Sequence, residues 1–361
     1  MRRRLVLAVS GLVVPAGIAA FAFKSQTRDT RPCLPATDST ATPAAVALPA
    51  ATTGNLLVAN QWSSTGSIIE LATGTVTSFD AGTEPHDVAV SPDGRWGVLS
   101  NFGPGSANDF RGNKLIVVDI AAKKIVRTID LGDYRGLHDV LFRPGAPTHV
   151  VVTAQTSRRI VEVDIVTGKV IGAADTRGDR SHTLAITRDG RTAFTTNEGT
   201  STVSKMDLTT HSFVATFPAT ENVEGIGVTA DGNELWVGST AIGGVQVFAT
   251  ESGKVVATLP QFRYPVRVVV SSDGRRVVIS DPGCKAVVVA DPATRKVVRV
   301  IRADAGTFLV GEIAPDSRVA FAASGDAGRV VSLDLETGRR IAEYKTGRHP
   351  DGVAWGPTPA R

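Results

Sequence analysis

Short runs of β-branched and other apolar residues alternate with brief polar turns along nearly the whole chain, and no apolar stripe recurs at helical spacing. The segment HDVAVSPDGRWGVLS, beginning at His86, shows the unit: two apolar runs joined by an Asp-Gly turn, the pattern of a β-hairpin. The turn recurs as SPDG at Ser91, RPGA at Arg143, TRDG at Thr187, TADG at Thr229, SSDG at Ser271, APDS at Ala314 and GPTP at Gly356, in steps of 52, 44, 42, 42, 43 and 42 residues. A second series of seven hairpins is interleaved with it, running from SIIELATGTVTSF to VVSLDLETGRRIAEY. Four strands per period predict an all-β, seven-bladed β-propeller with four-stranded antiparallel blades. The chain ends supply the closure. GNLLVAN at Gly54 matches a second strand and HPDGVAW at His349 matches a first strand, so one blade is expected to draw strands from both termini. The propeller is placed at residues 54–357.

The N-terminal segment reads differently. Arg2, Arg3 and Arg4 precede an uncharged apolar run from Leu5 to Phe23, the pattern of a secretory signal or an uncleaved anchor over residues 1–23. Ala20-Phe21-Ala22 resembles a cleavage site, while a run of about 19 apolar residues is also long enough to span a bilayer. Export to the periplasm or the medium is expected, with anchoring to the inner membrane through residues 5–23 as the alternative. Residues 24–53, rich in Thr, Ala, Pro and Ser without apolar periodicity, read as a disordered linker.

Charge and cysteines narrow the field. The formal charge of +4 includes the three arginines, so removal of residues 1–22 leaves 4 − 3 = +1, which gives nucleic acid little support as a partner. Two cysteines, Cys33 in the linker and Cys284 in a loop, read as unpaired thiols rather than a disulfide framework.

EPHDVAVSPDG, SHTLAITRDGRTAFTTNEGTSTVSKMDL and RHPDGVAW resemble the YVTN repeats of YncE-like proteins, and the likeness runs from about Gly54 to Trp355. The resemblance implies the same seven-bladed fold and an exported binding or surface protein. The wider propeller superfamily also includes lactonases, quinoprotein amine dehydrogenases and copper- and haem-containing reductase domains, so fold by itself does not choose among functions.

The chemistry gathers at one place. Alignment of the first strands on their turns puts His86, His138, His182, Glu224, Val266, Leu309 and Asp351 at one equivalent position, at the mouth of the central channel. Imidazole and carboxylate together suit Fe, Cu, Zn or Mn, so His86, His138, His182, Glu224 and Asp351 are candidate metal ligands. Arg111, Arg135, Arg180, Arg263, Tyr264 and Arg348 fall on loops of the same face and are candidates for an anionic small molecule or a protein segment. Their alternative role is a solvated rim whose stems cover apolar loops. Asn60, Asn101, Asn197, Ser239, Asp281 and Ser324, at second-strand ends, fit strand termination through nearby backbone. His149 and His211 fall on the hairpin-turn side and are expected to face solvent. The chain has no CxxCH, HExxH, GxSxG, Walker or EF-hand pattern. A binding propeller that takes a ligand or metal ion at the channel mouth is therefore expected. A metal-dependent oxidoreductase or lactonase-like hydrolase using the same ring is the alternative, and an envelope scaffold a further one.

Overall fold

A computed structural model describes residues 31–37, 53–105, 109–303 and 306–359. The signal-or-anchor reading of residues 1–23 falls outside them. Among the described residues no helix is long and apolar enough to cross a membrane.

The strands form seven separate four-stranded sheets, each antiparallel, and the molecule is a seven-bladed β-propeller. Blade 1 combines Pro350–Gly356, innermost, with Asn55–Asn60, Thr65–Glu70 and Thr75–Asp80. Pairing of Leu57 with Ala354 and Val58 with Val353 closes the ring as the sequence predicts. The innermost strands of blades 2 to 7 are Pro85–Val90, Leu137–Phe142, Ser181–Ile186, Val223–Val228, Arg267–Val270 and Leu309–Ile313.

The hairpin turns form because of their own side chains. In SPDG, the Ser91 hydroxyl donates to Asp93 Oδ1 at 2.5 Å, the Arg95 amide donates to the same oxygen at 3.0 Å, and Gly94 takes φ 73°. Thr187-Asp189, Thr229-Asp231 and Ser271-Asp273 repeat the hydroxyl-carboxylate bond at 2.6 Å. A left-handed glycine at the fourth position lets the chain reverse without steric cost.

Between blades, apolar side chains of facing sheets interlock. Leu115, Val117, Val140, Val150, Val152 and Val161 form one such seam between blades 2 and 3. Burying these side chains contributes about 1.5–3 kcal/mol each, and repetition around the ring replaces a single central core with seven seams. The centre itself is crowded. A Cβ on Gly352 would stand 2.7 Å from Asp87 Cα in the next blade, so only glycine allows the two first strands this approach.

One expectation is corrected here. Cys33 and Cys284 form a disulfide, with Cα atoms 5.8 Å apart and a sequence separation of 251. The residues around Cys33, within the stretch read as linker, lie across the junction of blades 5 and 6: Leu34 N–H donates to Gln261 O, and Arg31 donates to the carbonyls of Thr240, Ala241 and Arg263. Spacing in sequence gave no hint of the pairing, because Cys33 lies outside the repeat and has no equivalent in it.

Candidate functional site: a histidine-carboxylate arc at the channel mouth

The five aligned residues stand side by side in one arc. His86, His138 and His182, from consecutive blades, overlap with ring centroids 3.9 Å apart at each step. At one end His86 Nε2 faces Asp351 Oδ2 at 3.7 Å, and at the other His182 Nε2 meets Glu224 Oε2 at 3.1 Å. Val266 and Leu309 leave blades 6 and 7 out of the arc.

Backbone geometry aims these side chains. Each arc residue sits at a register shift of its strand: pairing skips from Pro85 to Val88, Leu137 to Val140, Ser181 to Leu184, Val223 to Ile226 and, in the closing strand, from Pro350 to Val353. A β-bulge leaves the skipped residues unpaired and turns them. Two positions before each arc residue the chain is left-handed, at Glu84, Gly136, Arg180, Asn222 and His349, with φ from 48° to 66°. The equivalents in blades 6 and 7, Tyr264 and Thr307, are not. Four of these five residues are not glycine, so the entry to each arc strand except that of blade 3 holds a side-chain-bearing residue in a sparsely populated backbone conformation.

A second layer holds the arc from below. Arg267, from blade 6, crosses the channel and donates to Asp87 Oδ2 at 2.6 Å and Asp351 Oδ1 at 2.9 Å. Asp139 Oδ2 accepts from the Leu184 amide at 2.7 Å. Above, the insertion between Asn101 and Lys114 lays Phe102 edge-on against both His86 and His138, at 5.1 Å each, with Phe110 stacked on Phe102 at 3.7 Å. His86 and His138 are thus sealed, and their Nδ1 atoms are buried without a hydrogen-bond partner among the described residues. His182 has a partner in Gln155, whose Oε1 lies 3.4 Å from its Nδ1. Phe102 occupies the position equivalent to Gln155, one residue past the second strand, which accounts for the missing bond at His138.

The imidazoles are held neutral. Burial pushes His138 well below its usual range, and the neighbouring His182 and His86 push the same way. Burial also lowers His86 and His182, although Asp351 acts in the opposite sense on the first and Glu198 on the second. Glu198 and Glu224 are pushed up to about 7 by burial and are hydrogen-bonded to one another, so near neutral pH they share a proton. Asp351 is held down at about 2: burial opposes ionisation, but His86 and Arg267 favour it, and the permanent charge of Arg267 acts even with His86 neutral.

The open end of the arc lies at blade 4. There His182 Nε2 is 3.3 Å from Glu198 Oε1 as well as 3.1 Å from Glu224, and these three side chains keep 8 to 15% of their surface exposed. Donor atoms of His182, Glu198 and Glu224 lie within 4.8 Å of one another, as do those of His86, Asp87 and His138. Glu198 is the residue that reading the sequence missed. It follows Asn197 directly, so carrying the alignment of strand-end residues one position further would have found it.

The six arginine and tyrosine candidates do not converge. Arg180 pairs with Glu198, and Tyr264 lies near enough that burial and the Glu224 and Glu198 charges push its hydroxyl above its usual range. Arg111 and Arg135 stay exposed, opposite Asp109 and Asp133. Arg348 donates to Trp62 O at 2.8 Å, and Arg263 Nε donates to Arg31 O at 2.8 Å, tying down the disulfide-linked segment. Of the strand-end asparagines, Asn101 bonds backbone as expected, its Nδ2 donating to Ala81 O and Thr83 O, whereas Asn60 Nδ2 donates to the hydroxyls of Thr65 and Ser67 and Asn197 Nδ2 to those of Thr202 and Ser204.

On the opposite face the structure corrects a second expectation. His149 and His211 are not free in solvent. His149 Nδ1 and His211 Nε2 each lie 2.8 Å from a carboxylate oxygen of Glu162, whose side chain is fully buried and whose two oxygens both accept from Arg143 Nη1 at 2.9 Å.

The class of protein is therefore fixed as a seven-bladed β-propeller with a titratable arc at one channel mouth. No family model matches the sequence, and no curated protein matches it. Among solved structures the chain is similar to Kuenenia stuttgartiensis hydrazine synthase, with a TM-score of 0.65 and 19% identity, over 75% of this chain and 89% of that one. At that identity the likeness concerns the fold alone.

Proposed function

We propose that this chain is an exported propeller of the YVTN or YncE-like kind that binds a transition-metal ion at its channel mouth. His182, Glu198 and Glu224 are its accessible ligands, and His86, His138 and Asp351 continue the arc behind them. One observation carries the reading. Ligands bound to one ion at about 2.0–2.2 Å, at right or tetrahedral angles, stand roughly 3–3.5 Å from each other. The His182 nitrogen stands 3.1 and 3.3 Å from the two carboxylates. The imidazole is already neutral, and the proton shared by Glu198 and Glu224 would leave as the ion arrives. One neutral nitrogen and two carboxylates suit Fe, Zn or Mn, and leave positions for water or a small ligand. The disulfide supports export, since structural disulfides persist in oxidising compartments.

The test is elemental mass spectrometry on tag-free protein, stripped with chelator and reloaded with each ion in turn. Near-stoichiometric metal, lost in His182→Ala and Glu198→Gln, is expected. No retained metal with any of Fe, Cu, Zn or Mn would end the reading.

A further inference from the structure

Beneath the arc the channel continues as a cavity of about 380 Å³, lined by the first strands of all seven blades and touching none of the five arc residues. Its inner end is set by Asp87, Asp139 and Arg267, and toward the hairpin-turn face it is lined by Phe142, Ile186 and Val270, which are partly exposed. Three residues after each arc position the blades contribute one ring to its wall: Ala89, Leu141, Ala185, Gly227, Val269, Glu312 and Ala354. Six of the seven are apolar. Glu312 alone breaks the repeat, beside a bulge at Gly311 where pairing skips from Val310 to Glu312.

We propose that this tube is a second binding site, entered from the hairpin-turn face, that takes a small organic ammonium ion with its charge at Glu312 and its carbon skeleton along the apolar ring. Charge complementarity carries the choice of ligand. The one cation of the tube, Arg267, is already committed to Asp87 and Asp351. Glu312 receives only main-chain amides, with Ile313 N at 3.1 Å from Oε1, and has no cationic partner among the cavity residues. Burial pushes its carboxyl up to about 7, the state of an acid lacking a counter-charge. A hard metal ion would need several oxygen ligands to replace its hydration shell; the Ala, Leu, Gly and Val of this ring supply no side-chain oxygen, and at the inner end Asp87 is bonded to Arg267 and Asp139 to the Leu184 amide. An alkylammonium brings its own apolar surface and needs one carboxylate. The volume falls within the range of small-molecule sites.

The experiment is calorimetric titration of the full-length mature chain, stripped of metal, with n-butylammonium, n-butanol, butanoate and calcium. Saturable binding of butylammonium is expected, about tenfold tighter than butanol, weakened at least about tenfold in Glu312→Gln, and retained in His182→Ala, which disables only the mouth. Ala89→Leu, which narrows the ring without touching a charge, should also weaken it. Equal binding of butanol, butylammonium binding unchanged in Glu312→Gln, preference for butanoate, or calcium binding that Glu312→Gln abolishes would each overturn the proposal. Its success or failure is independent of metal at the mouth, because every arm uses metal-free protein.

Discussion

Arg267 and Asp87 are 180 positions apart in the chain and on blades far apart around the ring, yet Nη1 and Oδ2 meet at 2.6 Å across the channel. With the second bond to Asp351, this guanidinium ties blade 6 to blades 1 and 2. It also separates the histidine arc above from the cavity below.

Removing that side chain leaves Asp87 and Asp351, both buried, without their cation. Arg267→Ala is expected to cost about 3–5 kcal/mol, in the range for breaking a buried pair by taking one partner away. Arg267→Met in an Asp87→Asn, Asp139→Asn, Asp351→Asn background should recover most of the loss, because the three buried carboxylates that face Arg267 are then neutral. Urea unfolding of the three proteins checks both outcomes.

Glu312 predicts a pH dependence with a definite sign. The channel groups that share its surroundings are Asp87, Asp139 and Arg267. Its folded value of about 7 lies above the ordinary 4.5 of a glutamate, so between these limits the folded state binds more protons than the unfolded state. This contribution is therefore complete below pH 4.5 and is lost as pH rises through about 7. Glu312→Gln should flatten that part of the stability profile and stabilise the protein at pH 8 by at most about 3 kcal/mol, reduced by whatever water solvates the carboxylate in the tube. Thermal midpoints from pH 4 to 9 for both proteins provide the comparison.

The Glu162 cluster behaves in the opposite sense. Burial disfavours its charge, but hydrogen bonds from His149, Arg143 and His211 together hold its carboxyl below the usual range. Its stabilisation is present above the unfolded value and lost as pH falls through the lower folded one. Glu162→Ala should cost about 3–5 kcal/mol at pH 7, since Arg143 would lose its partner. It should also make the protein less sensitive to acid, read as a smaller drop in midpoint between pH 6 and pH 3.

The disulfide holds the segment around Cys33 to blade 6, where Asp281 ties the same region together. Its carboxylate accepts from the amides of Arg263, Tyr264 and Cys284. Replacing both cysteines by serine should lower stability by about 2–5 kcal/mol. Reductant should shift the thermal midpoint of the parent protein and leave the double variant unmoved.

The blades were legible because each is specified locally. Ser91 and Asp93, or Thr229 and Asp231, make their turn from residues two positions apart, and alternating apolar residues do the rest. The arc was legible for a related reason: seven repeats superimpose, so His86, His138 and His182 can be aligned without knowing any contact. Glu198 sits one position past the strand-end Asn197, where the repeat itself places it beside His182. The Glu162 cluster and the disulfide depend on neighbours that the repeat does not encode. Glu162 gathers His149 from its own sheet and His211 from the next blade, and Cys33 meets Cys284 across most of the chain. The bulges could not be read at all, since skipping Asp87 or Asp139 in a ladder leaves the apolar pattern on either side intact.

The pairing of Asn55–Asn60 with Pro350–Gly356 also sets an order of events. A ribosome delivers the partner of the first strand only after the six other blades, so blade 1 must wait as three strands with an unsatisfied edge until Pro350–Gly356 emerges. Contacts this distant in sequence form slowly. Any exposed strand edge invites pairing with another molecule, and during that interval the edge of Asn55–Asn60 is the point at which two nascent copies would exchange strands.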